Sequence, residues 1–403
     1  MNRKKASSHS QILPAMAAIF VDVLSYGLIT PLLVAAFTEN LFLAASPQWQ
    51  PIVLALAFAL FPLGMFFGAA TLGDLSDRWG RRKTLILCMA GLTGAFALLA
   101  LSVATSSVTL LLLGRLISGL LGGSMAIGQA AIIDLSTPEN KPQNLSRITI
   151  ANAAAHFLGP GIGALLADNG LYLPFISISL LAIATLIWIA LKMEETRTVE
   201  SVAEKINWQR PFQIFAEAFA NPDIRRLSWV YLLFHAGNSM SYQFFYVLLA
   251  ERFDYTPGEL SLFSALAMGG GGLLATFWLL PLLQKHFSPL TLSIYPLLLT
   301  GFLSQLFQVA LPMELRWLIG VIWAIALISA YVSTITLYSN CVDEARQGWV
   351  MGIANSVFAF SFVIGGLSAS LLSWFQVETL LTFAGLLLIC SGALLYINAK
   401  RFS

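Results

Sequence analysis

Apolar runs of about 20 residues, each long enough to cross a bilayer as a helix, recur from one end of the 403-residue chain to the other. Nothing else in the sequence constrains the fold as tightly. Inside lipid every backbone N–H and C=O must find a partner within the chain, so only helices or a closed barrel can span. The runs are continuous and do not alternate, which argues against a barrel. Charged residues make up 10% of the chain, against about 25% in ordinary soluble domains, so a soluble surface is out of reach. The expected fold class is an all-α membrane protein.

Segmenting on apolar runs and their breaks predicts twelve transmembrane helices, near 12–36, 50–72, 84–105, 107–130, 146–168, 171–192, 226–250, 258–280, 291–311, 314–338, 347–373 and 376–398. The N-terminal "MNRKKASSHSQILPAM" is basic and then apolar. That apolar stretch continues to about Val34, too long for a cleaved signal, so it is read as the first span. The longest polar connector, roughly 193–225, divides the chain into a bundle over 1–192 and a second over 226–403. With the N-terminus placed in the cytoplasm, all of the 22 Lys and Arg except Arg115, Arg252 and Arg316 fall in cytoplasmic segments. That bias is what the positive-inside rule requires, and it puts both termini in the cytoplasm.

The halves also resemble each other. "ITIANAAAHFLGPGIGALLA" from Ile148 aligns with "MGIANSVFAFSFVIGGLSAS" from Met351, which sets Gly163 on Gly366. "GDLSDRWGRRKTL", residues 73–85, has a worn counterpart in "LPLLQKHFSPLTL" from Leu280. Such internal repeats mark transporters in which two pseudo-symmetric bundles rock about a site at the bilayer midplane. The connector carries Phe212, Phe215 and Phe219 at helical spacing, which fits either a helix lying flat on the inner leaflet or a plain linker.

Cys88, Cys341 and Cys390 are far apart and give no metal or disulfide spacing. Four scattered His, and no HExxH or P-loop pattern, argue against an enzyme, a metal site and an ATP-driven pump. No cofactor and no nucleic acid is expected.

Charge is densest at 73–85, where six of thirteen residues are Asp, Arg or Lys. Gly73, Leu75, Ser76, Asp77, Arg78, Gly80, Arg81 and Arg82 fit G-x-L-[AS]-D-R-x-G-R-[RK]. This resembles the signature between the second and third helices of the major facilitator superfamily. "DVLSYGLITPLL" in the first span, with Asp22, Gly27 and Pro31, is similar to tetracycline/proton antiporters of that family's drug:proton branch. "GRLISGLLGG", with Arg115 and Gly119, resembles its R-x-x-x-G motif. "LGPGIGA" resembles the antiporter G-P-x-x-G-G motif through Gly159, Pro160 and Gly163, with Ala164 in place of the last glycine. The resemblance covers the N-terminal half. It implies two six-helix bundles in the major facilitator fold, alternating access, and a monomer driven by the proton gradient without a cofactor.

The 73–83 segment, expected as a cytoplasmic loop between the second and third spans, serves either as an orientation anchor or, as the resemblance implies, as a gating latch in which Asp77 bonds the neighbouring bundle or a helix N-terminus in the outward-open state and releases it in the other. Asp22 is the one carboxylate placed well inside a span. An ionised acid there is expensive, so Asp22 is the proton-coupling candidate; the rival reading is a permanent ion pair or a substrate-binding charge. Arg115 is the matching buried cation and cannot act as a proton carrier. It is left to tune a carboxylate, bind an anionic group of the cargo, or hold backbone carbonyls.

The fifth span puts Asn152, His156, Gly159 and Gly163 on one face; His156 is either packed and neutral or titrating. The seventh puts Tyr231, His235, Asn238, Tyr242 and Tyr246 on one face beside Gln243, either a cavity lining or an aromatic belt. Tyr26 and Asn355 complete the expected substrate cavity, and "GGGG" at 269–272 is a hinge or a packing surface. The expected activity is proton-coupled export of a small amphipathic or drug-like molecule across a bacterial inner membrane. The rivals are a proton-coupled importer of a nutrient or metal chelate, and a non-transporting receptor or assembly factor on the same fold.

Overall fold

The computed structural model describes residues 2–42, 48–197, 209–222, 224–343 and 346–401, with side chains from residue 11 onward except at 70 and 401. The rest of the connector, including 198–208, lies outside the described residues. Among the described residues the secondary structure is helical and no strand occurs.

The helices are α1 (Asn2–Thr38), α2 (Gln50–Trp79), α3 (Arg81–Thr105), α4 (Val108–Leu121), α5 (Ser124–Asp134), α6 (Lys141–Leu166), α7 (Tyr172–Lys192), α8 (Arg210–Ala220), α9 (Arg225–Phe253), α10 (Pro257–Phe263), α11 (Gly271–Leu274), α12 (Leu280–Leu283), α13 (Thr291–Leu306), α14 (Met313–Asn340), α15 (Gln347–Leu367) and α16 (Val377–Ile397). Among the described residues ten helical stretches are long and apolar enough to cross a membrane. The expected seventh and ninth spans fall on α9 and α13, which are not among the ten. α13 has only 16 residues. α9 has 29, but its interior is interrupted by His235, Asn238, Ser239, Ser241 and Gln243. A helix that keeps those groups from lipid must turn them inward, and all but Asn238 are buried.

Three elements depart from the expected runs. The fourth span is split into α4 and α5 at Gly122–Gly123. The eighth, Pro257–Leu283, contains two π-helical stretches, Ser264–Gly270 and Ala275–Leu279. The charged 73–83 segment is not a loop. Residues 73–79 are the last turns of α2, Gly80 alone turns the chain at φ 96°, and Arg81 opens α3. Within this segment Gly80 uses glycine's freedom at positive φ, whereas Gly73 is helical and has open space around it.

The packing repeats when each helix is shifted by six spans. The first span packs on the fifth (α1 on α6) as the seventh does on the eleventh (α9 on α15). The third packs on the sixth (α3 on α7) as the ninth does on the twelfth (α13 on α16). Between the halves, α2 meets α15, and α6 meets the eighth span. The two glycines aligned by the sequence repeat stand in these two equivalent contacts. A side chain on Gly163 would meet Ser261 Oγ at 2.6 Å, and one on Gly366 would meet the Ala59 backbone at 2.7 Å. Within the GGGG run, a side chain on Gly269 would meet the Phe157 backbone at 2.8 Å and one on Gly271 the Val321 carbonyl at 2.9 Å. These two are packing surfaces, one toward each half.

α8 is a helix with both halves on its aromatic face. Phe212 contacts Phe66 and Phe67 of α2 at 5.5 Å, and Phe215 contacts Phe360 of α15 at 4.5 Å. Trp349 donates to Glu217 at 2.7 Å.

Candidate functional site

A cavity lies where the halves meet. Its first wall comes from the first, second and fourth spans: Tyr26, Ile29, Thr30, Phe58, Phe61, Pro62 and Arg115. Its second comes from the seventh and eleventh: Ser239, Tyr242, Gln243 and Phe362. Its lining is mostly apolar with a few polar groups turned inward, as in small-molecule sites.

Arg115 is the cavity's charged residue, and it is 4% exposed. Its Nε donates to the Ala57 carbonyl at 2.7 Å, and its guanidinium lies over the Phe61 ring, 4.9 Å from the centroid. Among the described residues no carboxylate lies within ion-pair distance of it, and its terminal nitrogens make no hydrogen bond. The side chain reaches this place because α4 packs very closely on α2. Gly64 and Gly68 of α2 and Gly119 of α4 leave no room for a side chain: a Cβ on Gly64 would meet the Leu116 carbonyl at 2.7 Å, and those on Gly68 and Gly119 would meet backbone still more closely.

Asp22 is not part of the cavity lining. It sits on the same face of α1 as Tyr26 and Thr30, at i, i+4 and i+8, and all three are half-buried. One helical turn, about 6 Å, separates it from Tyr26. Its carboxylate faces the break in the fourth span, toward Ser124 and Met125 at the start of α5 and 3.8 Å from where a side chain on Gly122 would be. The glycine pair makes a helix start in mid-span, and the positive end of that helix's dipole is turned toward the acid.

Between the cavity and the end of the bundle that carries Gly80, polar and aromatic side chains are accessible. They include three residues. His156, whose Nδ1 lies 3.0 Å from the Asn152 carbonyl, faces Tyr26 with ring centroids 6.4 Å apart. Tyr331 is 37% exposed. Asn355 is exposed on the face of α15 that carries Phe358 and Phe362. Asn152, beside Met125 with its amide 3.6 Å from Sδ, is half-buried along the same wall. At the opposite, distal end the halves are in contact through Gly366, Gly163 and the Asp168–Gly258 bond described below.

The rest of the seventh-span stripe has other neighbours. Tyr231 and His235 are buried among Phe234, Tyr338 and Phe358, with His235 4.7 Å from Phe358 and 6.1 Å from Phe362. His235 therefore lies behind the cavity wall and not in it. Neither of its ring nitrogens, nor Asn238 Oδ1, has a hydrogen-bond partner among the described residues. Tyr242 reaches Ser264 across 3.3 Å. Gln243 donates to the Gly365 carbonyl and to Ser368, tying the seventh span to the eleventh.

The glycine–proline motif of the fifth span packs on α1. Gly159 abuts the Leu24 carbonyl, and Pro160 lies 3.2 Å from where a side chain on Gly27 would be. At the Gly80 end, Arg81 bonds Asp77 (2.8 Å), Ser76 (2.8 Å) and Asp134 (3.3 Å). Asp77 also pairs with Arg197, and Arg82 donates to the Ala190 carbonyl. Glu195 accepts from the N–H groups of Arg81 (2.7 Å) and Arg82 (3.2 Å), capping α3. None of these partners belongs to the second half, and Arg78 makes no ion pair among the described residues.

Reading the sequence alone missed Ile29, Thr30, Phe58, Phe61, Pro62, Ser239 and Phe362. An apolar residue facing a cavity looks like one facing lipid. The signal available was the Gly64–Gly68 pair, which marks the close face of α2 and hence the helix turned to its neighbours.

Residues 15–366 match the Major Facilitator Superfamily. The quinolone resistance protein NorA of Staphylococcus aureus (strain MSSA476) is 26% identical over 383 residues, covering 92% of each chain. The class D tetracycline resistance protein of Salmonella ordonez is 32% identical over 179 residues, 44% of each. Among solved structures, the human organic anion transporter MFSD10 (TETRAN) superposes with a TM-score of 0.67 at 22% identity, over 96% of this chain and 99% of that one. A point mutant of the nucleoside transporter NupG superposes with a TM-score of 0.75 at 11% identity, over 98% and 100%. The chain thus belongs to the Major Facilitator Superfamily, a family of membrane transporters and not of enzymes.

Proposed function

We propose that the chain is a proton-coupled exporter of a small amphipathic, drug-like molecule, working by alternating access. The observation that carries this is the placement of one acid, Asp22, a helical turn from a cavity built by both halves. An acid there is able to hold a proton or face a cationic group of the cargo, but not both. Binding of one releases the other, which is exchange. NorA and the tetracycline protein, named for resistance, support export over uptake.

In this reading the structure is open toward the Gly80 end, and the Lys and Arg bias makes that end cytoplasmic. Twelve spans then divide into rocking bundles over 1–192 and 226–403, linked by 193–225, in the inner membrane, with both termini inside and a monomer as the working unit. The Asp77–Arg81 cluster, held within the first half here, would engage the second half when the cytoplasmic side closes. Protons are the energy source and no cofactor takes part.

The test is transport into everted vesicles under an imposed pH gradient. Asp22→Asn should abolish pH-driven transport while leaving cargo binding in place. Unchanged proton-driven transport in that variant would remove Asp22 from the mechanism. Thiol labelling of residues 73–83 from the outside would overturn the orientation.

A further inference from the structure

We infer that the cargo is a zwitterion on an aromatic frame, its anionic group received by Arg115 and its cationic group directed at Asp22. This rests on the proposed function and adds the chemical class of the cargo.

The charge layout leads there. The cavity lining contains one charged side chain, and it is a cation. Arg115 uses its Nε on the Ala57 carbonyl, and the face of its guanidinium covers Phe61. Its two terminal nitrogens are left with no hydrogen bond and no carboxylate among the described residues. A buried guanidinium is costly to leave unpaired, and its planar fork suits a carboxylate. A purely cationic cargo would have to approach this charge without compensation. Along Arg115's own span, away from the cavity, an anion, Asp22, stands beside Gly122. Gly122 is seven residues along the fourth span from Arg115, about 10 Å of helix rise. The site is thus bipolar, positive in the cavity and negative one turn toward the Gly80 end. Between the poles stand Tyr26 and Phe61, with ring centroids 5.5 Å apart, and Tyr242 and Phe362 face them across the cavity. These surfaces suit a flat ring system.

The sign of the coupling agrees with exchange. An anion alone would bind better when Asp22 is protonated, so cargo and proton would travel together. A cationic group at Asp22 reverses this, because it competes with the proton. Only a cargo carrying both charges satisfies Arg115 and also expels the proton.

Three probes on one scaffold separate the terms: a piperazinyl quinolone carboxylic acid (zwitterion), its ethyl ester (cation), and the piperidinyl analogue (anion). Equilibrium binding to the purified full-length protein is followed by calorimetry without a pH gradient. The zwitterion should bind about tenfold or more tightly than the ester, the usual scale of a charge-assisted pair. Arg115→Gln should erase that difference, and Arg115→Lys should keep part of it. Asp22→Asn should erase the preference of the zwitterion over the anion, and with it the weakening of zwitterion binding as pH falls. An ester that binds the wild-type protein as tightly as the zwitterion overturns the inference, and this holds even if Arg115→Gln fails to fold. The two readings fail separately. Charge discrimination without proton-driven transport removes the proposed exchange alone. Proton-driven transport without discrimination removes the zwitterion alone.

Discussion

The Asp168 carboxylate accepts a 2.7 Å hydrogen bond from the backbone N–H of Gly258, joining the end of the fifth span to the start of the eighth at the distal end of the bundle. Gly258 lies in the first turn of α10, behind a Thr256–Glu259 capping box, and a side chain there would run into the Asp168 carboxylate. The bond is a helix cap supplied by the other half of the molecule. A capping carboxylate is worth about 1 kcal/mol, or about fivefold in a two-state balance. Asp168→Ala should therefore favour the state open at this end. In a variant lacking Cys88, Cys341 and Cys390 and carrying Thr30→Cys, labelling by a membrane-impermeant thiol reagent from the distal side should speed up about fivefold. An unchanged rate would deny Asp168 a role in closure.

Glu39, just beyond the first span, gives the same contact a pH dependence. Partial burial, and then the charge of Asp168, hold its carboxyl above the usual carboxylate range. A raised value in the closed form means that closure binds protons. The contribution is fully present below the ordinary carboxylate value and is lost as pH rises through the raised one. Distal closure should tighten in acid, so labelling of Thr30→Cys should slow as pH falls from neutral. Glu39→Gln should flatten that dependence; a profile as steep as in the parent would assign it elsewhere.

Ten of the expected spans fall on helices long and apolar enough to cross, because lipid imposes a length and a composition on each. The repeat was legible because Gly163 and Gly366 hold equivalent contacts between the halves. Less of the site could be read. Tyr26, Arg115, Tyr242 and Gln243 are polar groups in apolar helices and declare themselves. Phe58, Phe61 and Phe362 do not, since one face of such a helix meets lipid and the other meets cargo with the same side chains. The polar stripe of α9 also misleads: Tyr242 and Gln243 line the cavity, but Tyr231 and His235 on the same helix point into the second half. The run at 73–83 reads as a loop because charge is taken as the sign of a loop, whereas Asp and Arg continue the helix beyond the apolar span to Trp79.

The α2–α4 contact that carries Arg115 should be intolerant of added volume. A methyl on Gly68 or Gly119 would meet backbone of the facing helix, which cannot rotate away as a side chain does. Overpacking of this kind costs about 1–3 kcal/mol. Gly119→Ala and Gly68→Ala should lower the melting temperature of the detergent-purified protein and weaken binding at Arg115. Gly94→Ala is the control: it is exposed on α3 and has nothing within 4 Å. It should be neutral or gain a few tenths of a kcal/mol from its helix propensity. Equal effects at all three sites would show that close approach is not what these glycines provide.

The imidazole nitrogens of His235 should prove dispensable for both proton coupling and stability. It is 1% exposed and ringed by Tyr231 at 4.2 Å, Phe234 at 4.3 Å, Phe358 at 4.7 Å and Tyr331 at 5.8 Å. With neither nitrogen bonded, the imidazole contributes an aromatic ring and bears the cost of a buried polar group, about 1–3 kcal/mol. His235→Phe keeps the ring and removes that cost. The melting temperature should hold or rise, and transport should keep its rate and pH profile, because Phe362, not His235, forms the cavity wall. Substitution by Asn should do the opposite for stability, since it gives up the ring contacts and keeps polar atoms in the same apolar surroundings. A shifted pH profile in His235→Phe, at unchanged melting temperature, would instead place the imidazole on the proton's route.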